Sequence, residues 1–421
     1  MRNSFFIMAF CLMFLLCGCS QQTGQTEDGR MKLVFWNLFS GGDQEYMLSI
    51  VDAYNESQND VFVESPTIAW ADYYTKLVTS VAAGKGPDLA VSHAARVPEL
   101  YYQGLAAPLD DLANEIGFKW GGITQNVEES IVLDGNHYAI PIDTHPFILY
   151  LNKELVTEAG LLDENGNVAM EETPEGFIDF FTKAKKALPQ KFPIAMSSTG
   201  VDPYRWWWAV YFQMGGTPML SDDLTETEIT MDREIAIKAA TYLKSLYHEH
   251  ELIPPNLGDF YQSFQSGKAV SMLTGVWATG IWEQTEGLEF IPLPLPQLFE
   301  QPGDFGGSHT IVMPADPDMS PERKRAGMEF MAFVLDQGAE WAKAGHIPAK
   351  TSILQEDAYL EQPYRSSYAE VAQNVVFPSK TIYAGAAQTI MQRNLDLIWT
   401  NNASPEEAID IMIDELEVLV P

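Results

Sequence analysis

Cysteine is almost missing from this 421-residue sequence: there are 3, and all fall within the first nineteen positions, at Cys11, Cys17 and Cys19. A chain cleaved before Cys19 can therefore hold no internal disulfide and no thiolate-based metal site. Positive charge is scarce as well. Lys and Arg number 25 against 58 Asp and Glu, a formal net charge of -33, and the basic residues form no block, so a phosphate backbone would be repelled and no nucleic-acid partner is expected. Also absent are an internal repeat, a low-complexity tract and any linker rich in Pro, Gly or Ser after residue 30. A length that demands more than one domain, without a flexible joint, implies lobes connected by crossing strands. Three catalytic signatures are missing too: the Gly-x-Ser-x-Gly elbow, the Gly-x-x-x-x-Gly-Lys phosphate loop and the His-Glu-x-x-His helix.

What is present begins with a leader. Arg2 supplies a positive start and residues 5–16 an apolar run too short to span a bilayer comfortably, which reads as an export signal over 1–18. Leu16-Cys17-Gly18-Cys19-Ser20 resembles the lipobox of bacterial lipoproteins, which implies cleavage before Cys19 and lipid on that residue. Residues 19–30 read as a tether between lipid and domain. The acidity that follows reads as a solvated surface.

Beyond the leader, apolar runs of strand type alternate with helical spacing. Lys32-Leu33-Val34-Phe35-Trp36 is followed by a glycine turn at Ser40-Gly41-Gly42-Asp43 and by a helix carrying Tyr46, Met47, Ile50, Val51 and Tyr54. A second strand at residues 61–64, a helix over 73–83 and a third strand at residues 88–92 continue the pattern, which predicts a mostly parallel sheet covered by helices. Thr173-Pro174-Glu175, Ser320-Pro321-Glu322 and Ser404-Pro405-Glu406-Glu407 each set a capping oxygen before Pro at the first helical position, and the last adds the Glu of a capping box. Residues 140–148 and 292–308, interrupted by Pro and Gly, read as crossings between two lobes with a cleft between them.

These segments together resemble the family 1 extracellular solute-binding proteins of ABC importers, the group that includes maltose-binding and multiple-sugar-binding proteins. The likeness rests on residues 32–37 and the glycine loop after them, on Gly84-Lys85-Gly86-Pro87-Asp88-Leu89, Gly104-Leu105-Ala106-Ala107-Pro108-Leu109 and Tyr138-Ala139-Ile140-Pro141, and on Leu149-Tyr150-Leu151-Asn152-Lys153, Phe264-Gln265-Ser266-Gly267-Lys268-Ala269 and Gly345-His346-Ile347-Pro348. It implies an α/β fold of the periplasmic-binding-protein type II kind, two α/β lobes joined by a hinge of crossing segments around a ligand cleft. Lobe one would hold 31–142 and 308–350, and lobe two 143–307 and 351–421. It also implies a receptor, not an enzyme, that hands a sugar or oligosaccharide to ABC permease subunits and their ATPase while anchored to the outer face of a membrane through Cys19, with no cofactor and as a monomer.

A sugar site needs aromatic plates bordered by groups that donate and accept hydrogen bonds. Asp202-Pro203-Tyr204-Arg205-Trp206-Trp207-Trp208 reads as an N-cap, Pro and then aromatics, and three consecutive Trp spread over about 200° of a helix, so at least one should leave the core. Tyr204, Arg205 and Trp206 are the candidates there. Arg205 suits a carboxylate or phosphate, or a salt bridge on the helix surface. Trp277, after a strand end, is the stacking plate that the resemblance implies, with Trp282 left to packing. Asn37, Ser40 and Gly41 occupy the first glycine turn; Ser92 and His93 end the third strand; Asp143, Ser308 and His309 sit at the two crossings. His93, His145 and His309 include no pair at helical or hairpin ligand spacing, so no metal site is expected. The competing readings are a glycosidase with paired carboxylates, a lipoprotein that adheres to glycans, and a receptor for a phosphorylated polyol such as glycerol phosphate.

Overall fold

The computed structural model describes residues 24–224 and 226–420. Leader residues 1–18 and Cys19 lie outside them. From Gly24 on, the segment expected to be tether turns back on the fold: the Lys32 amide donates to the Gly24 carbonyl (3.0 Å), and the Arg30 guanidinium lies 4.9 Å from the Phe62 ring centroid.

Two sheets organise the chain. The first runs Val61–Glu64, Met31–Trp36, Leu89–His93, His309–Val312, Ile140–Pro141 in spatial order. Its first three strands are parallel, as the βαβ pattern requires, whereas His309–Val312 enters antiparallel to both its neighbours. The second sheet is built on Asp143–Asn152, whose ten residues are all buried. Helices and loops cover both its faces, which explains an apolar run without alternation. Its neighbours Ala269–Gly275, Phe290–Pro294, Asp304–Gly307 and Ile347–Pro348 are all antiparallel to it. The expected mostly parallel sheet is thus corrected for this half: chain excursions return to the central strand in the reverse direction, and among the described residues only Phe192–Ala195 and Val375–Val376 add parallel pairs.

Each sheet anchors its own core. One gathers Leu33, Phe35, Met47, Leu89, Val91, Ile140, Ile311 and Phe330; the other gathers Phe147, Leu149, Phe177, Trp206, Leu243, Leu395 and Met412. Burying side chains of this size is the main force that holds each body together. The capped helices form where their caps predict. The side chains of Thr173, Ser320 and Ser404 accept from the third backbone N–H of Pro174–Ala187, Pro321–Asp336 and Pro405–Leu419, and Glu407 completes the capping box.

The aromatic helix Val201–Gln213 starts two residues earlier than the sequence suggests, with Gly200 (φ 97°) as its N-cap. Asp202 makes no cap bond because its carboxylate is taken by Arg205 Nη1, 2.6 Å away. All three consecutive Trp are buried, against the expectation that one would face out. Other elements cover the helix around all three indoles, though Arg205 stays partly exposed: Trp206 packs on Phe177, Trp207 Nε1 donates to the Ala236 carbonyl and Trp208 Nε1 to that of Val376. Buried indoles with satisfied N–H groups are stable core residues.

Three short crossings connect the bodies. The chain leaves the first sheet at Ile142, returns at Ser308 and leaves again near Ala349, and the three lie side by side: Ile142 N–H donates to the His309 carbonyl (2.8 Å) and Ala349 N–H to that of Ile142 (3.2 Å). The second crossing is far shorter than the expected 292–308, because Phe290–Pro294 and Asp304–Gly307 are strands of the second sheet.

Candidate functional site

Between the bodies, against these crossings, lies a cavity of about 630 Å³, within the usual size range of small-molecule sites. The first body contributes Ser40, Asp43, Trp70, Tyr74, His93 and Arg96; the second contributes His145, Arg205, Trp277, Phe305 and Gln388. Ser308, His309 and His346 complete the floor.

Two indoles give the walls their character. Trp277 follows the end of Ala269–Gly275 and can lie against it because Gly275 has no side chain: a Cβ there would stand 1.8 Å from the indole ring. Its Nε1 donates to Tyr261 Oη (3.1 Å), and the Arg205 guanidinium carbon sits 4.7 Å from its centroid. Trp70 opens the helix Trp70–Ala82 and is 55% exposed, edge-on to His93. An indole this exposed, in a chain that buries Trp206, Trp207, Trp282, Trp341 and Trp399 fully, meets Tyr74 and His93 edge-on and keeps much of its surface open beside the cavity.

Arg205 is the principal cation of the second wall. Trp277 and Phe305 flank it, Asp202 holds one amino group, and Nε is buried without a hydrogen-bond partner. Burial raises the Asp202 carboxyl above its usual pKa against the pull of Arg205, so the pair is a costly one to break. On the first wall Arg96 lies over Tyr74 and bonds Glu99 (3.0 Å).

The floor is an imidazole cluster around one carboxylate. His309 opposes His93 in the strand ladder, and the ring centroids of His145 and His309 are 4.2 Å apart. Asp143 has no exposed surface; it accepts from His145 Nδ1 (3.0 Å), from His309 Nδ1 (2.8 Å) and N–H (2.9 Å), and from Trp341 Nε1 (2.7 Å). Burial alone would raise its pKa, but the imidazoles around it prevail and hold it well below the carboxylate range. Burial lowers His145 to about 4 and His93 well below the ordinary imidazole value, with the neighbouring imidazoles adding to it. His346 is fully buried, stacked on Trp341 (4.7 Å, 11°), and neither ring nitrogen has a hydrogen-bond partner.

The structure thus brings Ser40, His93, Arg205, Trp277, Ser308 and His309 to the cavity. It does not bring the other candidates. Asn37 is buried and organises its turn, donating to Ser65 Oγ (2.9 Å) and accepting from the Phe39 N–H. Gly41, at φ 74°, caps the helix Gly42–Ser57. Ser92 is buried and turned to the His93 carbonyl, and Asp143 lies beneath the floor. Tyr204 and Trp206 belong to the core. Trp282 packs, as expected, against Tyr150 and Phe264.

Trp70, Tyr74, Arg96 and His346 escaped the sequence reading. Helical spacing gave no signal for Trp70: at about 100° per residue it falls on the stripe of Tyr73, Leu77 and Val81, the buried face of its helix, and it is exposed at the helix's first position. Spacing along the chain does not show that four of these groups meet: the fold brings together Asp143, His145, His309 and His346 from three distant segments, with one potential ligand atom of each within 4.8 Å of the others.

The model of a family described as bacterial extracellular solute-binding protein matches residues 49–365. An arabinooligosaccharide-binding protein of Halalkalibacterium halodurans is 23% identical over 92% of this chain and 89% of its own, and one of Bacillus subtilis is 22% identical over 89% and 85%. Among solved structures, the GacH receptor of Streptomyces glaucescens superposes with a TM-score of 0.77 (18% identity, 92% of this chain and 98% of that one). UgpB of Mycobacterium tuberculosis, in complex with glycerophosphocholine, gives 0.79 (16% identity, 93% and 98%). The expected fold, two α/β lobes around a hinge and a cleft, is therefore the fold of this chain, and the chain belongs to the bacterial extracellular solute-binding proteins.

Proposed function

We propose that this chain is a sugar receptor of an ABC importer, held at the membrane by lipid on Cys19, which captures an oligosaccharide between its lobes and delivers it intact to permease subunits and their ATPase. The observation that carries the reading is the pair of indoles, Trp70 on one lobe and Trp277 on the other, lining one cavity. Apolar sugar faces stack on such plates, and a ligand that touches both lobes stabilises their closed arrangement, so no bond need be made or broken. The relatives' names support an oligosaccharide of the arabinose type as the first ligand to test. Lobe one is taken as residues 31–142 and 308–350, and lobe two as 143–307 and 351–421, a division supported by the two cores. No helix among the described residues is long and apolar enough to cross a membrane, which is consistent with attachment by lipid, and the protein acts as a monomer in this account.

A second reading concerns charge. The cavity of this strongly acidic chain carries Arg96 and Arg205 against the carboxylate of Asp43, which favours a sugar acid or a phosphorylated polyol as an alternative ligand class. Titration of intrinsic tryptophan fluorescence with arabinooligosaccharides and with glycerol phosphates tests both: saturation by the first supports the neutral-sugar receptor, and by the second alone overturns it. Full release of the Cys19→Ser variant from the membrane fraction is expected; retention would overturn the lipid anchor.

A further inference from the structure

Ligating side chains from all three crossings meet at the cavity floor. Asp143 and His145 follow the first at Ile142, His309 follows the second at Ser308, and His346 precedes the third. We propose that Asp143, His145, His309 and His346 form a binding site for one divalent transition-metal ion of the zinc class at the junction of these crossings.

Four observations carry it. His346 is wholly buried, yet neither ring nitrogen is hydrogen-bonded; the nearest carboxylate oxygens, of Asp43 and Asp143, are 3.5 and 3.7 Å away. Buried imidazole nitrogens without partners are rare unless something is bound. The ring is also fixed in place, stacked on Trp341 and preceded by Gly345, whose φ of 118° and 2.0 Å distance from a would-be Cβ to the Val276 carbonyl admit only glycine. Second, Nδ1 of His145 and Nδ1 of His309 lie 3.0 and 2.8 Å from the Asp143 carboxylate, close to the ligand–ligand separation around one small cation, which would take the place of the shared protons and release them. Third, Asp143 is a fully buried carboxylate whose ion-pair partners among the described residues are all imidazoles, and a divalent cation provides the compensating charge that burial demands. Fourth, His145, His309 and His346 line the cavity, which gives an ion its path of entry.

Three imidazole nitrogens and one carboxylate oxygen select zinc, cobalt, nickel or copper over calcium and magnesium, and zinc most readily adopts four such ligands. Bonds of about 2.0–2.1 Å require the ligand atoms to approach each other to about 3.4 Å, so small side-chain rotations suffice from the present 4.8 Å limit. Bound there, the ion would tie all three crossings together and bias the opening of the cleft.

The test uses the untagged full chain, stripped with chelator and free of sugar, titrated calorimetrically with Zn²⁺ and followed by visible absorption with Co²⁺. One equivalent of zinc, the intense absorption of four-coordinate cobalt and a melting temperature raised by zinc are expected. His346→Gln and His309→Gln should each weaken zinc binding about tenfold or more, while His248→Gln, exposed on the second lobe, should leave it unchanged. Equal affinity in all the variants overturns the site. Should the ligand variants fold poorly, the cobalt spectrum of the unaltered chain decides: a weak six-coordinate spectrum, or no binding, contradicts the proposal.

Discussion

The guanidinium of Arg205 lies over the indole of Trp277, its central carbon 4.7 Å from the ring centroid, so the stacking plate and the main cation of the second wall form one unit. Replacing Trp277 by Ala removes the plate and the surface on which Arg205 rests. Sugar affinity should fall by about 1–3 kcal/mol while the fold survives, because the indole is only partly buried. Calorimetric titration with the best-bound sugar checks this, and unchanged affinity would assign Trp277 to packing alone.

Gly275→Ala should reproduce part of that loss without touching a ligand contact. Its new Cβ would stand 1.8 Å from the indole ring, so the ring must swing away. An affinity loss of about 1–2 kcal/mol with little change in melting temperature is expected. Undiminished binding would show that the position of the plate is immaterial.

Arg205 and Asp202 should behave as a coupled pair. Arg205→Ala leaves a buried carboxylate alone and should destabilise the fold by about 1–3 kcal/mol, somewhat less than a fully buried pair because Arg205 is partly exposed. Adding Asp202→Asn removes the orphaned charge and should restore much of the loss. Denaturant unfolding of the two single variants and the double variant measures the coupling; additive losses would contradict it.

Much of this architecture was legible beforehand, for identifiable reasons. Caps such as Thr173, Ser320 and Ser404 act through backbone groups three residues away, so sequence suffices to place them. His93, Trp277 and His309 reach the cavity because strand ends do so in open α/β sheets. Trp206 was misplaced for a complementary reason: helical spacing tells which residues share a face, not how many faces other elements cover. His346 joins His145 and His309 only through crossings that pair in space, a relationship that no local spacing contains.

Acidity should show itself at Asp396, away from the cavity floor. Both carboxylate oxygens accept the Gly200 N–H (3.0 and 3.2 Å), yet burial outweighs this and raises the pKa from 3.8 to about 6. The folded state then holds the proton more tightly than the unfolded one. The contribution is complete below pH 3.8 and is lost as pH rises toward about 6, on the order of 1 kcal/mol after solvent screening. Asp396→Asn should abolish this decline, so that its stability relative to the unaltered protein rises between those pH values. A difference that stays flat with pH would refute the assignment.

The most direct test of the receptor account is a melting-temperature screen of the protein against arabinooligosaccharides, maltodextrins, sugar acids and glycerol phosphates, with each ligand examined afterwards by mass spectrometry. Ligand that binds the native state must raise the melting temperature by mass action. A clear rise with a neutral oligosaccharide, recovered intact, is the predicted result; cleavage of the sugar, or no rise with any oligosaccharide, would contradict it.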